Sequence, residues 1–159
     1  MTRTALPPAR SVLVTGSSGL IGRRVVADLG AGTGEVETVV ALDRLDVAPA
    51  DRLPGVHYAT GDVRDPDLGD LMAEQAVDTV VHLAAVVTPG GDSTRELEHS
   101  IDVGGTENVL ACARRAGVSQ LVYTSSGAAY GYHADSPVPL TADDPLRGNP
   151  EFAYSDHKR

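Results

Sequence analysis

The chain has one cysteine, few basic residues and no long apolar run, and each shortage removes a class of protein. Cys112 is the only thiol in 159 residues. No intrachain disulfide and no cysteine cluster for zinc can form, and no metal site is expected. Cys112 lies in a helical stretch and reads as a buried small hydrophobe. The 13 Lys and Arg stand against 22 Asp and Glu, for a net charge of −9. That acidic surplus argues against nucleic acid or an anionic membrane as the main partner. No apolar run approaches the ~20 residues that a bilayer-spanning helix needs. Met1 to Arg10 carries no apolar signal core and reads as a flexible tail. A lone cysteine and no secretory signal point to the cytoplasm. There is no internal repeat and no low-complexity tract. What remains is 42% hydrophobic, an ordinary soluble composition, with residues 11–159 as one domain large enough for a core.

The local pattern is more specific. Ser11-Val12-Leu13-Val14-Thr15 is a short apolar, β-branched run that reads as a buried strand. Thr15-Gly16-Ser17-Ser18-Gly19-Leu20-Ile21-Gly22 follows, and Leu20, Ile21, Val25, Val26 and Leu29 then recur at helical spacing. Strand, glycine turn and helix form the context of a dinucleotide-binding loop. Gly16 permits the tight turn, Gly19 lets backbone approach a pyrophosphate, and Gly22 lets the helix pack on the strand. Free N–H groups of the helix start, around Ser18, Leu20 and Ile21, face the phosphates. The next strand, Thr38 to Leu42, ends in Asp43, about 20 residues past the loop, where an acid binds ribose hydroxyls. Arg44 is the one hint of a 2′-phosphate partner. Asp43 repels such a phosphate, so NAD is favoured over NADP.

Strand and helix alternate along the whole chain. This implies a doubly wound parallel α/β sheet, the Rossmann fold. Further strands are expected at Val56–Thr60, Val77–Leu83 and Gln120–Thr124. Helices are expected at Pro66–Glu74, capped by Asp65, and at Thr94–Ala116, stopped by Gly117. Gly104-Gly105 interrupts the long helix. Two such glycines cost about 2 kcal/mol relative to alanine, so close packing or a kink is expected there. The strand ends gather Gly16, Asp43, Asp62, His82-Leu83-Ala84-Ala85 and Ser125-Ser126 on one edge, where such sheets bind ligands. Small Ala84 and Ala85 leave room for a cofactor beside Leu83. Asp62 and Val63 read either as adenine contacts, through a carboxylate and a backbone amide, or as a loop cap. His82 reads as a packed strand-end histidine.

These residues resemble the short-chain dehydrogenase/reductase superfamily, most closely its extended branch of NAD-dependent sugar epimerases and dehydratases. The resemblance rests on the glycine loop, Asp43, Gly61-Asp62-Val63-Arg64-Asp65, His82-Leu83-Ala84-Ala85 and Asp102-Val103-Gly104-Gly105-Thr106-Glu107-Asn108. It continues through Tyr123-Thr124-Ser125-Ser126-Gly127-Ala128-Ala129-Tyr130-Gly131 and Tyr154-Ser155-Asp156-His157-Lys158. It implies that Tyr154 is the catalytic base and Lys158 its partner, with both touching the nicotinamide end of the cofactor. It implies that Ser126 bonds the reacting oxygen; Ser125 takes that place if the register slips by one. Chemistry agrees: a phenol of pKa ~10 is a poor base, and a lysine one helical turn away favours its phenolate.

Two departures stand out. The family often has Asn where this chain has Asp102. The extended enzymes also continue past the Tyr-Lys helix into a smaller substrate domain, whereas this chain stops at Arg159. It therefore reads as C-terminally truncated relative to the family, with a short, frayed terminal helix over Phe152–Arg159. The leading expectation is an epimerase or dehydratase acting on a nucleotide sugar as a homodimer, with the present chain inactive alone. The alternatives are a reductase of a ketone or hydroxysteroid-like alcohol, and a non-catalytic dinucleotide-binding fragment.

Overall fold

The structure, a computed structural model, describes residues 7–32 and 34–159. The first six residues of the expected tail lie outside the described residues. From Pro7 onward the tail is tied down. Gln120 Nε2 donates to the Pro7 carbonyl at 2.6 Å, and the Arg10 amide donates to Asp78 Oδ2 at 2.9 Å.

Five strands, β1 (Ser11–Thr15), β2 (Thr38–Asp43), β3 (Val56–Thr60), β4 (Thr79–His82) and β5 (Gln120–Tyr123), form one parallel sheet. Their order is β3-β2-β1-β4-β5. The chain thus starts at the centre, winds outward to β3, and returns to the other side of β1. Between β1 and β4 the winding reverses, and a crevice opens beyond the carboxyl ends there.

All five residues of β1 are buried, because helices cover both faces. Leu13, Val40 and Val80 pack with Leu68 and Met72 of α2 (Leu68–Glu74) and with Val109 and Cys112 of α4 (Gly105–Ala116). Val12, Val14, Val39 and Ala41 pack against Val26 of α1 (Leu20–Gly30) on the opposite face. Alternate strand residues point to opposite faces, so each inner strand feeds both cores. The doubly wound expectation is borne out. Among the described residues, no helix is long and apolar enough to cross a membrane.

Several boundaries move. α2 begins at Leu68, because Pro66 and Asp67 form a turn in which Asp65 Oδ1 accepts the Asp67 amide at 2.9 Å. β4 spans four residues, not seven. The expected long helix is three joined pieces: α3 (Arg95–His99), a π-helical turn (Ser100–Gly104) and α4. Thr94 Oγ1 caps its start by accepting the Leu97 amide, and Gly117 ends it at φ 76°. The two glycines thus mark both anticipated effects. The π turn falls at Gly104, and Gly105 packs so tightly that a Cβ there would sit 2.6 Å from Val63 Cγ2.

The final helix, α5, is a short turn over Ala153–His157. It is not frayed. Ser155, His157 and Lys158 are all buried. Ser155 Oγ donates to the Ala128 carbonyl at 2.6 Å, and Arg95 of α3 pairs with Asp156 at 2.9 Å. The expectation of a loose end came from a short terminal helix with no downstream strand to pack against. These tertiary hydrogen bonds supply what so short a helix lacks.

Candidate functional site

A cleft of about 710 Å³ lies along the carboxyl edge of the sheet. Gly16, Gly19, Asp43, Arg44, Asp62, Val63, Leu83, Ala84 and Ala85 all line it. Sequence reasoning placed six of these from strand ends, and Gly19, Arg44 and Val63 as cofactor contacts beside them; the fold brings all nine to one cleft.

The loop is built around close approach. Gly16 sits at φ 69°, and a Cβ on it would lie 2.7 Å from the Ala84 amide nitrogen. No other residue combines that backbone angle with that neighbour. A Cβ on Gly22 would fall on the Gly16 carbonyl oxygen, 2.8 Å from Ser17 Cα, so the helix start leans directly on the loop. Gly19 is the N-cap of α1, and the first intrahelical bond runs from the Arg23 amide to the Gly19 carbonyl at 3.0 Å. The amides of Leu20, Ile21 and Gly22 precede that bond and so have no helical acceptor. The Leu20 and Ile21 side chains are exposed at this end. The Ser18 amide is different, because it already donates to Asp43 Oδ2 at 2.9 Å.

Asp43 therefore has a structural task beside the expected one. Its Oδ1 accepts the Leu45 amide at 3.0 Å while Oδ2 holds Ser18. The carboxylate locks the β2 end to the glycine loop and keeps lone pairs for ribose hydroxyls. Arg44 is exposed and faces the same cleft. Asp62 is gripped by Arg64, whose guanidinium holds the Asp62 carboxyl below its usual range. Val63 is buried, and Asn108 of α4 fixes it by donating to the Val63 carbonyl at 2.8 Å.

Behind the cleft runs a buried chain of polar groups. Thr106 Oγ1 donates its hydrogen to the Asp102 carbonyl at 2.5 Å, so it accepts from His82 Nε2–H at 3.1 Å. His82 Nδ1 is then an acceptor, and Thr15 Oγ1 donates to it at 2.6 Å. Thr15 Oγ1 in turn accepts the Leu83 and Ala84 amides at 3.3 and 3.4 Å. The neutral imidazole completes this arrangement. Burial first, then the Lys158 charge, lowers His82 to about 4 against an opposing pull from Asp102. His82 is the packed histidine that the sequence suggested, and its bonds hold the Leu83-Ala84 wall.

Tyr154, Lys158 and Ser126 do not line the cleft. They lie on two segments held to each other. Ser126 caps a 3₁₀ turn (Gly127–Tyr130), and Ser155 of α5 bonds the Ala128 carbonyl within that turn. Lys158 Nζ donates to Tyr123 Oη and to the Thr124 carbonyl, both at 3.0 Å. It lies 4.5 Å from the Tyr123 ring centre and 5.9 Å from that of Tyr154. Asp102 bridges to the same helix. Its Oδ1 accepts the Val86 amide at 2.7 Å and its Oδ2 accepts from His157 Nδ1 at 3.0 Å. Sequence reasoning missed Arg64 beside the cleft, and Tyr123 and His157 around the Tyr154–Lys158 segment. All three lay within motifs already singled out, and their partners alone were invisible.

Residues 12–159 match the NAD dependent epimerase/dehydratase family. The chain belongs to that family. It is 32% identical over 148 residues to the UDP-glucose 4-epimerase of Erwinia amylovora, covering 87% of this chain and 42% of that protein. It is 36% identical over 121 residues to a 3 beta-hydroxysteroid dehydrogenase/Delta 5-->4-isomerase of Mycobacterium tuberculosis, covering 72% of this chain and 31% of that one. Its fold superposes on a UDP-glucose-4-epimerase from Stenotrophomonas maltophila with a TM-score of 0.76 at 27% identity. That structure holds NAD and formylated UDP-arabinopyranose, and the match covers 94% of this chain and 45% of that one. The chain therefore spans less than half the length of these relatives.

Proposed function

We propose that this family member is the NAD-holding part of an enzyme that oxidises and re-reduces an alcohol of a nucleotide sugar, in an epimerase or dehydratase reaction. The observation that carries the reading is one fold with two features: a loop whose Gly16 and Gly22 leave no space for a Cβ, and a buried Lys158 one helical turn from Tyr154. The cleft residues fit the cofactor. Gly16, Gly19 and the open amides of Leu20, Ile21 and Gly22 suit a pyrophosphate. Ser18 supports this loop through Asp43. Asp43 suits free ribose hydroxyls and disfavours a 2′-phosphate despite Arg44, so NAD is favoured over NADP. Asp62 and Val63 suit adenine, and Leu83, Ala84 and Ala85 form an apolar wall.

NAD supplies a reversible hydride acceptor. Tyr154 takes the alcohol proton in the oxidising direction and returns it in the reducing one. Lys158 has two of its three N–H donors committed to Tyr123 and Thr124, which leaves one for the nicotinamide ribose. Its charge also lies beside the Tyr154 ring. Ser126 Oγ accepts the Ala128 amide at 3.1 Å, so its own hydrogen is free for the substrate oxygen. Ser125 Oγ instead points its hydrogen at the Lys158 carbonyl, 3.5 Å away. That difference favours Ser126 as the third member.

The proposed enzyme works in the cytoplasm as a homodimer. The 159-residue chain by itself binds NAD and turns over nothing measurable, since its relatives are more than twice as long. A reductase of a hydroxysteroid-like alcohol is the second reading, favoured by the mycobacterial relative. Calorimetry with NAD and NADP tests the cofactor, and tighter NADP binding overturns it. In the full-length enzyme, Tyr154→Phe should lower turnover of a nucleotide sugar by at least about 100-fold while NAD affinity stays unchanged. Survival of turnover within severalfold would remove Tyr154 as the base. Product analysis with nucleotide sugars and with hydroxysteroids separates the two readings.

A further inference from the structure

Asp62 and Arg64, two residues apart after β3, form one unit at the edge of the cleft. Arg64 donates its backbone N–H and its Nε to Asp62 Oδ1, each at 2.9 Å, and its Nη2 to Oδ2 at 2.7 Å. Its Nη1 donates to Ser100 Oγ at 3.0 Å, and the Ser100 hydroxyl donates to the Leu97 carbonyl at 2.8 Å. Asp62 and Leu97 both line the cleft. The guanidinium therefore braces the exit of β3 against the π turn of the neighbouring helix run.

The acceptor count is informative. A carboxylate offers about four lone-pair sites. Arg64 fills two on Oδ1 and one on Oδ2, so a single acceptor direction on Oδ2 is left. The pair contributes little to stability, because Arg64 and Asp62 side chains are 36% and 29% exposed and open ion pairs are weak. What a fork of three bonds supplies at such a place is orientation.

We propose that Arg64, braced by Ser100, is a positioning residue for base recognition: it leaves Asp62 one directed acceptor in the cleft, which selects a purine that carries a 6-amino hydrogen. This rests on the reading that the cleft holds NAD. At neutral pH an aspartate carboxylate is ionised and only accepts, and the guanidinium holds Asp62 further below its usual range. A base edge with no hydrogen to give gains nothing from it.

The test compares NAD with nicotinamide purine dinucleotide, in which hydrogen replaces the 6-amino group, by calorimetry on the 159-residue chain. The natural chain should prefer NAD by about tenfold or more, the value of a hydrogen bond to a charged group. Arg64→Met should bring that preference close to one, by weakening NAD while binding of the purine analogue stays within about twofold of its original value. Ser100→Ala, which leaves the charge pair and releases only the brace, should narrow the preference severalfold, and it decides the matter if Arg64→Met does not fold. An equal loss for both dinucleotides would make Arg64 a packing residue and overturn the inference. A preference unchanged in either folded variant would overturn it too. If the natural chain binds neither dinucleotide, the cofactor reading itself fails and this inference with it.

Discussion

Single residues in the glycine loop differ in what they exclude. Gly22 meets rigid backbone: its Cβ would fall on the Gly16 carbonyl and 2.8 Å from Ser17 Cα. Gly19 meets only the Gly16 carbonyl at 3.2 Å. Gly22→Ala should therefore cost about 1–3 kcal/mol of stability as well as NAD binding. Gly19→Val should leave the fold largely intact and abolish NAD binding. Denaturant melts together with calorimetry separate the two, and an unaltered NAD affinity in folded Gly19→Val would reduce the loop to a turn. His82 gives a pH test. Its imidazole falls to about 4 in the folded chain, against about 6.5 unfolded. Between those values the unfolded chain carries the extra proton, so stability falls as the pH drops from about 6.5 to about 4. The shift corresponds to about 3 kcal/mol. His82→Gln should remove that component, seen as a shallower decline between melts at pH 7 and about 4.5.

Elements are tied to each other where secondary structure breaks its own rules. The π turn at Ser100–Gly104 presents Ser100 to Arg64 and carries Asp102, which bonds Val86 and His157. Immediately after it, Gly105 accepts Val63 against its bare Cα. Gly105→Ala should destabilise by about 1–3 kcal/mol, because β-branched Val63 is buried and stiff. Adding Val63→Ala should return part of that loss, and melts of the two single variants and the double variant measure the coupling. Sequence reasoning saw that two mid-helix glycines needed a cause and had no means of seeing Val63, which lies in a different strand-loop unit. α5 teaches the same lesson in reverse. Five helical residues read as a loose end until Ala128, Arg95, Asp102, Tyr123 and Thr124 supply partners.

At the scale of the whole molecule, the cleft and the Tyr154–Lys158 segment are separate assemblies joined through β4 and β5. His82 and Tyr123, stacked with ring centres 5.8 Å apart, sit at the ends of those strands. Ligand in the cleft should stabilise the entire sheet. NAD at 100 times its dissociation constant is expected to raise stability by about 2.7 kcal/mol, read as a rise in melting temperature that NADP at equal concentration does not match. Association belongs to this scale as well. Leu110 of α4 is 50% exposed and lies away from the cleft lining, so the proposed homodimer is expected to pack along this helix. Sedimentation should show a dimer that Leu110→Glu weakens; a monomer at all concentrations would remove the proposal for this chain.

Local rules were enough for much of this protein. Alternating apolar runs and helical periods determined a doubly wound parallel sheet, since those periods are set within a few residues by backbone geometry. Glycine spacing after β1 and an acid at the end of β2 determined where the cleft would lie, because strand ends in such a sheet share one edge. Partners across the fold were beyond reach. The Arg64 fork is local, but its brace on Ser100 joins residues 36 apart. Asp102 meets His157 across 55 residues, and Thr15 meets His82 across 67. Thr15 and His82 meet because β1 and β4 pair in register, and the other two pairs depend on how helices cross the sheet; only tertiary packing sets strand order and crossing.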